Sequence, residues 1–283
     1  MSRNLAARIA VAAVAIPPIL WICYRGGAWL FGMVMLLALI ALFEFLSNEG
    51  FAPRGIMFWL SAATIVLSIS LAAGFLAVGA DPLSPLSTVA ASALPLIVFY
   101  GLTAILFALG KQSPADLFRR HSRLFWGTAY VAFLYPFVFK VGEGFDGVSG
   151  GDSLLFLFGL LWVGDTAAMG IGKWLGAHKL APTVSPRKTV EGFIGGIVGA
   201  IAIGILMFFW KLGTVGFGHM MALSVGCSVL GQLGDLVESM WKRSLDIKDS
   251  SAIIPGHGGV LDRFDSLLFA APFMYAYFQV AVL

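Results

Sequence analysis

Asp235, Glu238 and Lys242 are spaced i, i+3, i+7, so on an α-helix two carboxylates and an ammonium share one face. Ser239 lies one position round. Arg243, Lys248 and Asp249 follow, then the Gly-rich run IIPGHGG, then Asp262, Arg263 and Asp265. Between Ser239 and Asp265 stand four aspartates, four lysines or arginines and one histidine. Mg²⁺ takes hard oxygen ligands, usually one or two carboxylates completed by substrate phosphates. Asp235 and Asp262, at the two ends of the segment, are the candidate ligands, with Glu238 and Asp265 beside them. Lys242, Arg243, Lys248 and Arg263 are candidates for neutralising phosphate oxygens. Gly258 and Gly259 let backbone N–H groups come close to an anion. His257 either joins the chemistry or caps the turn, and Asp249 and Asp246 are candidate site groups or solvated loop charges. Zinc is not expected, because no second His or Cys lies within reach in sequence. The plain alternative is that these charges only pair with one another and close a loop.

A second cluster lies upstream. Asp165 falls inside an apolar run, in VGDTAAMGIGKWLGAHKLAPTVSPRKTVEG. An acid within a membrane span marks a site, a partner or a water-filled wall. Ser185-Pro186-Arg187-Lys188-Thr189 reads as a polar, basic turn. It lacks the glycines of a Walker loop, but its cations could hold a triphosphate. With Ser239 and the two glycines, Asp165, Ser185, Arg187 and Lys188 form the candidate substrate-binding set.

The elements that must position these groups are membrane helices. The chain has 283 residues, 59% of them hydrophobic and only 12% charged, with mean hydropathy +0.91. Soluble domains carry about 25% charged residues, so this composition excludes an ordinary soluble enzyme. Nine apolar segments are read as spans: 7–24, 27–47, 56–79, 86–109, 124–142, 153–175, 192–211, 214–240 and 264–283. The expected fold is all-α, a polytopic membrane bundle. Residues 1–150 hold spans 1–5, and residues 151–283 hold the catalytic spans 6–9 with their charged loops. Fifteen of the eighteen Lys and Arg fall on the side of the N-terminus and the charged motif. The positive-inside rule then puts that side in the cytoplasm, at the cell (inner) membrane. The N-terminal run reads as a retained helix rather than a cleaved leader. Ser113–Trp126 reads as a short basic helix on the anionic leaflet, or simply as a positive-inside anchor. Cys23 and Cys227 read as buried hydrophobes, not a disulfide or metal site. Gly172/Gly176 and Gly195/Gly199 suggest close helix packing or a dimer face. Glu44, alone in span 2, reads as a helix-packing or interface residue rather than a catalytic one.

Ser239, Lys242-Arg243, Lys248-Asp249, Pro255, His257-Gly258-Gly259, Asp262-Arg263 and Asp265 match the C-terminal motif of the phosphatidate cytidylyltransferase family in type and spacing. Asp235, Glu238 and the segment from Asp165 to Gly192 also resemble that family, with Ala167-Ala168 where members often carry a glycine. The likeness is dense from Asp165 to Asp265. It implies an intramembrane nucleotidyltransferase of phospholipid biosynthesis that joins CTP and phosphatidic acid to give CDP-diacylglycerol and pyrophosphate. It also implies Mg²⁺ with K⁺ near the same site, metal-centre carboxylates at Asp235 and Asp262, and a bundle able to form a homodimer. No nucleic-acid partner is expected. Two rival readings stay open: a CTP-dependent transferase acting on a polyprenyl or archaeal lipid, and an ion-coupled transporter using Asp165, Asp235 and Glu238.

Overall fold

The structure is a computed structural model that describes residues 3–74, 85–254, 256 and 258–282. His257, Pro255 and the end of the third expected span (75–79) lie outside the described residues. Among the described residues there are nine α-helices: α1 (Arg3–Arg25), α2 (Gly27–Asn48), α3 (Ile56–Ala72), α4 (Pro85–Ala108), α5 (Pro114–Glu143), α6 (Gly150–Trp174), α7 (Val190–Trp210), α8 (Phe217–Ser244) and α9 (Leu261–Tyr277). A π-helical turn, Phe278–Val282, continues α9. Six of the helices are long and apolar enough to cross a membrane. The chain is an all-α, multi-pass membrane bundle. Helices are the open solution here because each satisfies its own backbone N–H and C=O groups without water. Pro95, Pro136 and Pro272 sit inside helices.

Buried hydroxyls follow the same rule. Ser61, Thr64, Ser92, Thr103, Thr128 and Ser224 each donate to the carbonyl four residues back, at 2.7–2.9 Å. Thr128 also donates to Ser61 at 2.8 Å, tying α5 to α3. The two cysteines are buried and unpaired.

Helices α6 and α7 pack most closely, and α8 packs on both α7 and α9. The small residues read from the sequence lie in the α6–α7 contact. A Cβ added at Gly199 would come within 2.7 Å of the Ala167 methyl and 3.2 Å of the Val163 carbonyl. One added at Gly195 would press on Ile171. These glycines therefore serve packing within the chain, not a face turned outward to a second copy.

Two expectations change. The basic segment 113–126 is not a separate surface helix but the first half of the 30-residue α5. Nothing in it breaks a helix: Ser113 caps the start by accepting from the Asp116 N–H at 3.2 Å, and His121 and Leu124 are buried. Ser185–Thr189 is not a turn but a strand, β4, paired antiparallel with β3 (Lys179–Ala181), with Lys179 opposite Thr189 and Ala181 opposite Ser185. A second small hairpin, β1 (Gly144–Phe145) with β2 (Val148–Ser149), links α5 to α6.

The packing argument makes a direct prediction. Gly199→Leu overpacks the α6–α7 seam and should destabilise the bundle by about 1–3 kcal/mol. Val198→Leu, on a side chain 56% exposed at the outer surface, should be neutral. Thermal unfolding of the two purified variants checks this, and equal midpoints would remove the seam from the account.

Candidate active site

Each functional side chain is carried by one end of α6, α7, α8 or α9, or by the segments joining them. Helix α8 presents Asp235, Glu238, Ser239 and Lys242 near its C-terminal end, and α9 presents Asp262 and Asp265 in its first two turns. The two helices pack closely at Gly234, where an added Cβ would lie 2.6 Å from the Asp265 carbonyl oxygen. A side chain there would wedge the hairpin open.

Lys242 joins the two helices. Its Nζ lies 3.0 Å from Glu238 Oε2 and 2.6 Å from Asp262 Oδ1. All three residues are buried, Glu238 to 2% exposure and Asp262 to 8%. The other oxygen of Asp262, Oδ2, accepts from the Ser250 N–H at 2.8 Å, the Ser250 hydroxyl at 3.0 Å and the Gly259 N–H at 2.8 Å. So Asp262 gathers the loop around itself. Gly258 holds φ +85°, and a Cβ there would stand 2.7 Å from Asp262 Oδ2. Only glycine meets both conditions without strain.

A second ion pair brings the strand segment to α8. Lys188 Nζ on β4 lies 2.7 Å from Asp235 Oδ2, without the alignment of a hydrogen bond. Ser239 donates to Asp235 Oδ1 at 3.2 Å. Asp165 on α6 lies within electrostatic reach of Asp235, Lys188 and Arg263. Asp265 lies against Glu238, and Asp235 is near enough to repel it. Glu238 Oε1 is buried with no donor, as are the hydroxyls of Tyr130 and Tyr135.

The remaining candidates stand further out. Arg243 is exposed and donates to the Ile247 carbonyl at 2.7 Å, closing the end of its own helix. Lys248 and Asp249 are exposed on the loop, as is Arg187 on β4, while Ser185 is half-buried. Arg263 is also exposed, on the α9 surface. The carboxylates thus form one group in which Asp165, Asp235, Glu238, Asp262 and Asp265 face the cations Lys188, Lys242 and Arg263. Five acidic side chains stand against three basic ones at a partly buried point. Such a point favours a further cation, and Arg187, Arg243 and Lys248 are exposed on β4, at the end of α8 and on the loop after it.

Sequence reasoning passed over Ser250, whose N–H and hydroxyl both reach Asp262, and Asn48, whose side-chain amide donates to the Ser250 carbonyl at 2.7 Å. It gave Glu44 only a packing or interface role. The one available signal was an acid standing alone in an apolar run.

The buried triad at Lys242 predicts a stability signature. Lys242→Met leaves Glu238 and Asp262 without their ammonium and should cost about 3–5 kcal/mol. Adding Glu238→Gln to that variant should recover part of the loss, because one uncompensated charge is removed. Thermal unfolding of the single and double variants measures the coupling. Strict additivity would mean that the three groups do not act as a unit.

Against this geometry, the comparisons with known proteins are specific. A model of the cytidylyltransferase family matches residues 6–281. A phosphatidate cytidylyltransferase of Staphylococcus haemolyticus is 33% identical over 268 residues, 94% of this chain and 96% of its own length. One from Staphylococcus aureus is 32% identical over the same shares. One from Bacillus subtilis is 49% identical over 116 residues, 41% of this chain and 43% of its own. With the match running through the N-terminal helices as well as the charged hairpin, this chain belongs to the cytidylyltransferase family.

Proposed function

We propose that this protein is a nucleotidyltransferase that moves CMP from CTP to phosphatidic acid, giving CDP-diacylglycerol and pyrophosphate. The observation that carries the reading is a buried carboxylate cluster, in excess over its cations, at one end of a membrane bundle whose relatives bear that activity in their names. A phosphate oxygen of the lipid attacks the α-phosphorus of CTP. The bond from that phosphorus to the bridging β-oxygen breaks, and pyrophosphate leaves. The lipid phosphate is already anionic, so no strong general base is required. The barrier is repulsion between two anions, and the protein's work is to position them and offset their charge.

The residues present fit a divalent cation. Glu238 Oε1 is buried without a donor and faces a second carboxyl, Asp265. The Lys242 ammonium already stands where positive charge is held between Glu238 and Asp262. Among the described residues no three acidic, imidazole or thiol groups close a cage of their own. Mg²⁺ usually takes one or two carboxylates and completes its shell with water and substrate phosphate. Asp235 and Asp262 would supply those carboxylates, with Glu238 and Asp265 beside them, and when bound the ion would neutralise charge on the reacting phosphates. A K⁺ ion beside it and a homodimer belong to the same proposal and rest on the family resemblance.

Lys188 and Arg187 on β4 would take the triphosphate, with Arg263, Lys248 and Arg243 around the leaving group. Asp165 and Ser185 would line the nucleotide's side of the cleft, and the Gly258–Gly259 backbone would approach a phosphate. Asp249 and His257 remain candidates of the same loop. The site would face the cytoplasm of the cell (inner) membrane, where CTP is, in keeping with the fifteen-to-three bias of Lys and Arg between the two sides.

Purified protein with labelled CTP and phosphatidic acid tests the reaction directly. Wild type should form CDP-diacylglycerol only with Mg²⁺ present. Asp235→Asn and Asp262→Asn should each lose activity by on the order of 100-fold or more while staying folded. Near-normal turnover in either variant removes that residue from the required set, and product formation from a polyprenyl phosphate but not from phosphatidic acid would favour the rival lipid. Orientation has its own check. Ser250 is buried, but Ile253 is 49% exposed. Cysteine at position 253, in a background without Cys23 and Cys227, should react with an impermeant thiol reagent only when the inner face is open. Labelling from outside intact cells would reverse the topology.

A further inference from the structure

We infer that Glu44, on α2, is a positioning residue for the reaction: it holds Ser250, Ser251, Val260 and Leu261 in the arrangement that aims Asp262 at the site. This rests on the function proposed above. The residue is 1% exposed near the end of α2, more than 200 positions from each group its carboxylate binds. Its Oε1 accepts from the Ser251 hydroxyl at 2.6 Å and the Val260 N–H at 2.8 Å. Its Oε2 accepts from the Leu261 N–H at 2.8 Å and lies 3.1 Å from the Ser250 hydroxyl. No cation pairs with it among the described residues. Its charge is offset instead by hydroxyls and by the first N–H groups of α9, where the helix dipole favours an anion.

This contact is more than a cap. The Ser250 hydroxyl stands between Glu44 Oε2 and Asp262 Oδ2, at 3.1 and 3.0 Å. Its one hydrogen links the two carboxylates, so a shift at Glu44 is felt at Asp262. The space is closed tightly. A Cβ at Gly259 would come within 2.6 Å of both Glu44 oxygens and would collide with the Ser250 hydroxyl. The last turn of α2 also grips the other side of the hairpin. Phe45 stacks on Trp241 of α8 with ring centroids 4.3 Å apart, Trp241 Nε1 donates to Glu49 at 2.9 Å, and Asn48 donates to the Ser250 carbonyl. Helix α2 thus sets the end of α8 and the start of α9 from one rigid element. Glu44 touches none of the reacting atoms and acts through Ser250 and the α9 N-terminus.

Glu44→Gln tests this. A glutamine has one acceptor oxygen and must turn an N–H₂ group toward a donor, so the four-donor arrangement cannot survive. The expected result is a fall in kcat of about 100-fold, the scale of a misplacement near 1 Å. The KM for CTP should change little, because Lys188 and Arg187 are carried by β4, between α6 and α7. Hydrogen exchange of the full-length protein in lipid nanodiscs supplies a readout that does not need activity. Amides of the segment 249–262 should exchange roughly tenfold faster, with α6 and α7 unchanged. Ser251→Ala, a milder change that removes one donor, should lower kcat several-fold with the same KM and the same local exchange. It keeps the test valid where the glutamine variant does not fold. Unchanged kcat with unchanged exchange in 249–262 overturns the proposal, and so does an increase spread evenly over all helices, which would make Glu44 a general packing residue. A wild type that makes no CDP-diacylglycerol would overturn the function instead, and the exchange result would still decide whether Glu44 holds the loop.

Discussion

One buried ammonium holds two helices and two carboxylates together at one end of a membrane bundle. Lys242 lies between Glu238 on its own helix and Asp262 on the next. Without it, the start of α9 would place a carboxylate against the acids of α8 with nothing between them. With it, α8 and α9 can approach until Gly234 meets the Asp265 backbone. Burying such charges is costly, and the arrangement is tolerable only because the remaining oxygen of Asp262 is met by Ser250 and Gly259. A polar knot of this kind need not be the most stable solution. It is the one that leaves carboxylates gathered and partly unsatisfied where a charged substrate can use them.

The rest of the bundle serves that knot in layers. The α6–α7 seam, closed by glycines, brings the β3–β4 hairpin and its Lys188 against Asp235. Helices α2 and α5 lie on the other side, with α5 packed on both α2 and α9. The N-terminal helices are therefore not only a membrane anchor for the charged half, since Glu44, Phe45, Asn48 and Glu49 reach directly into its loops.

What could be read from the sequence, and what could not, divides on range. The i, i+3, i+7 spacing of Asp235, Glu238 and Lys242 is local, and helix geometry alone places them on one face. The nine helices among the described residues follow from apolar runs in the sequence, and six of them are long and apolar enough to cross a membrane. The missed features depend on distant partners or on the lack of a local signal. β4 pairs with a strand of only three residues, too short for an alternating pattern to appear, and Pro186 within it reads as a turn. The basic start of α5 carries the charges of a surface helix, but nothing separates it from the apolar half. Arg243 also closes its own helix end through the Ile247 carbonyl, a contact that no local pattern announces. Glu44 binds a loop about two hundred residues away, and only its isolation in an apolar run pointed to a role.

The central claim is that the acids of the α8–α9 hairpin form a cation-dependent nucleotide centre. Electron paramagnetic resonance of Mn²⁺ titrated into purified protein with CTP present reads that centre without turnover. The account predicts a bound Mn²⁺ signal in wild type that is lost in Asp235→Asn and in Asp262→Asn, but kept in Glu191→Gln, whose carboxylate binds His178 and its neighbouring backbone outside the cluster. Equal Mn²⁺ binding in all four proteins would contradict it.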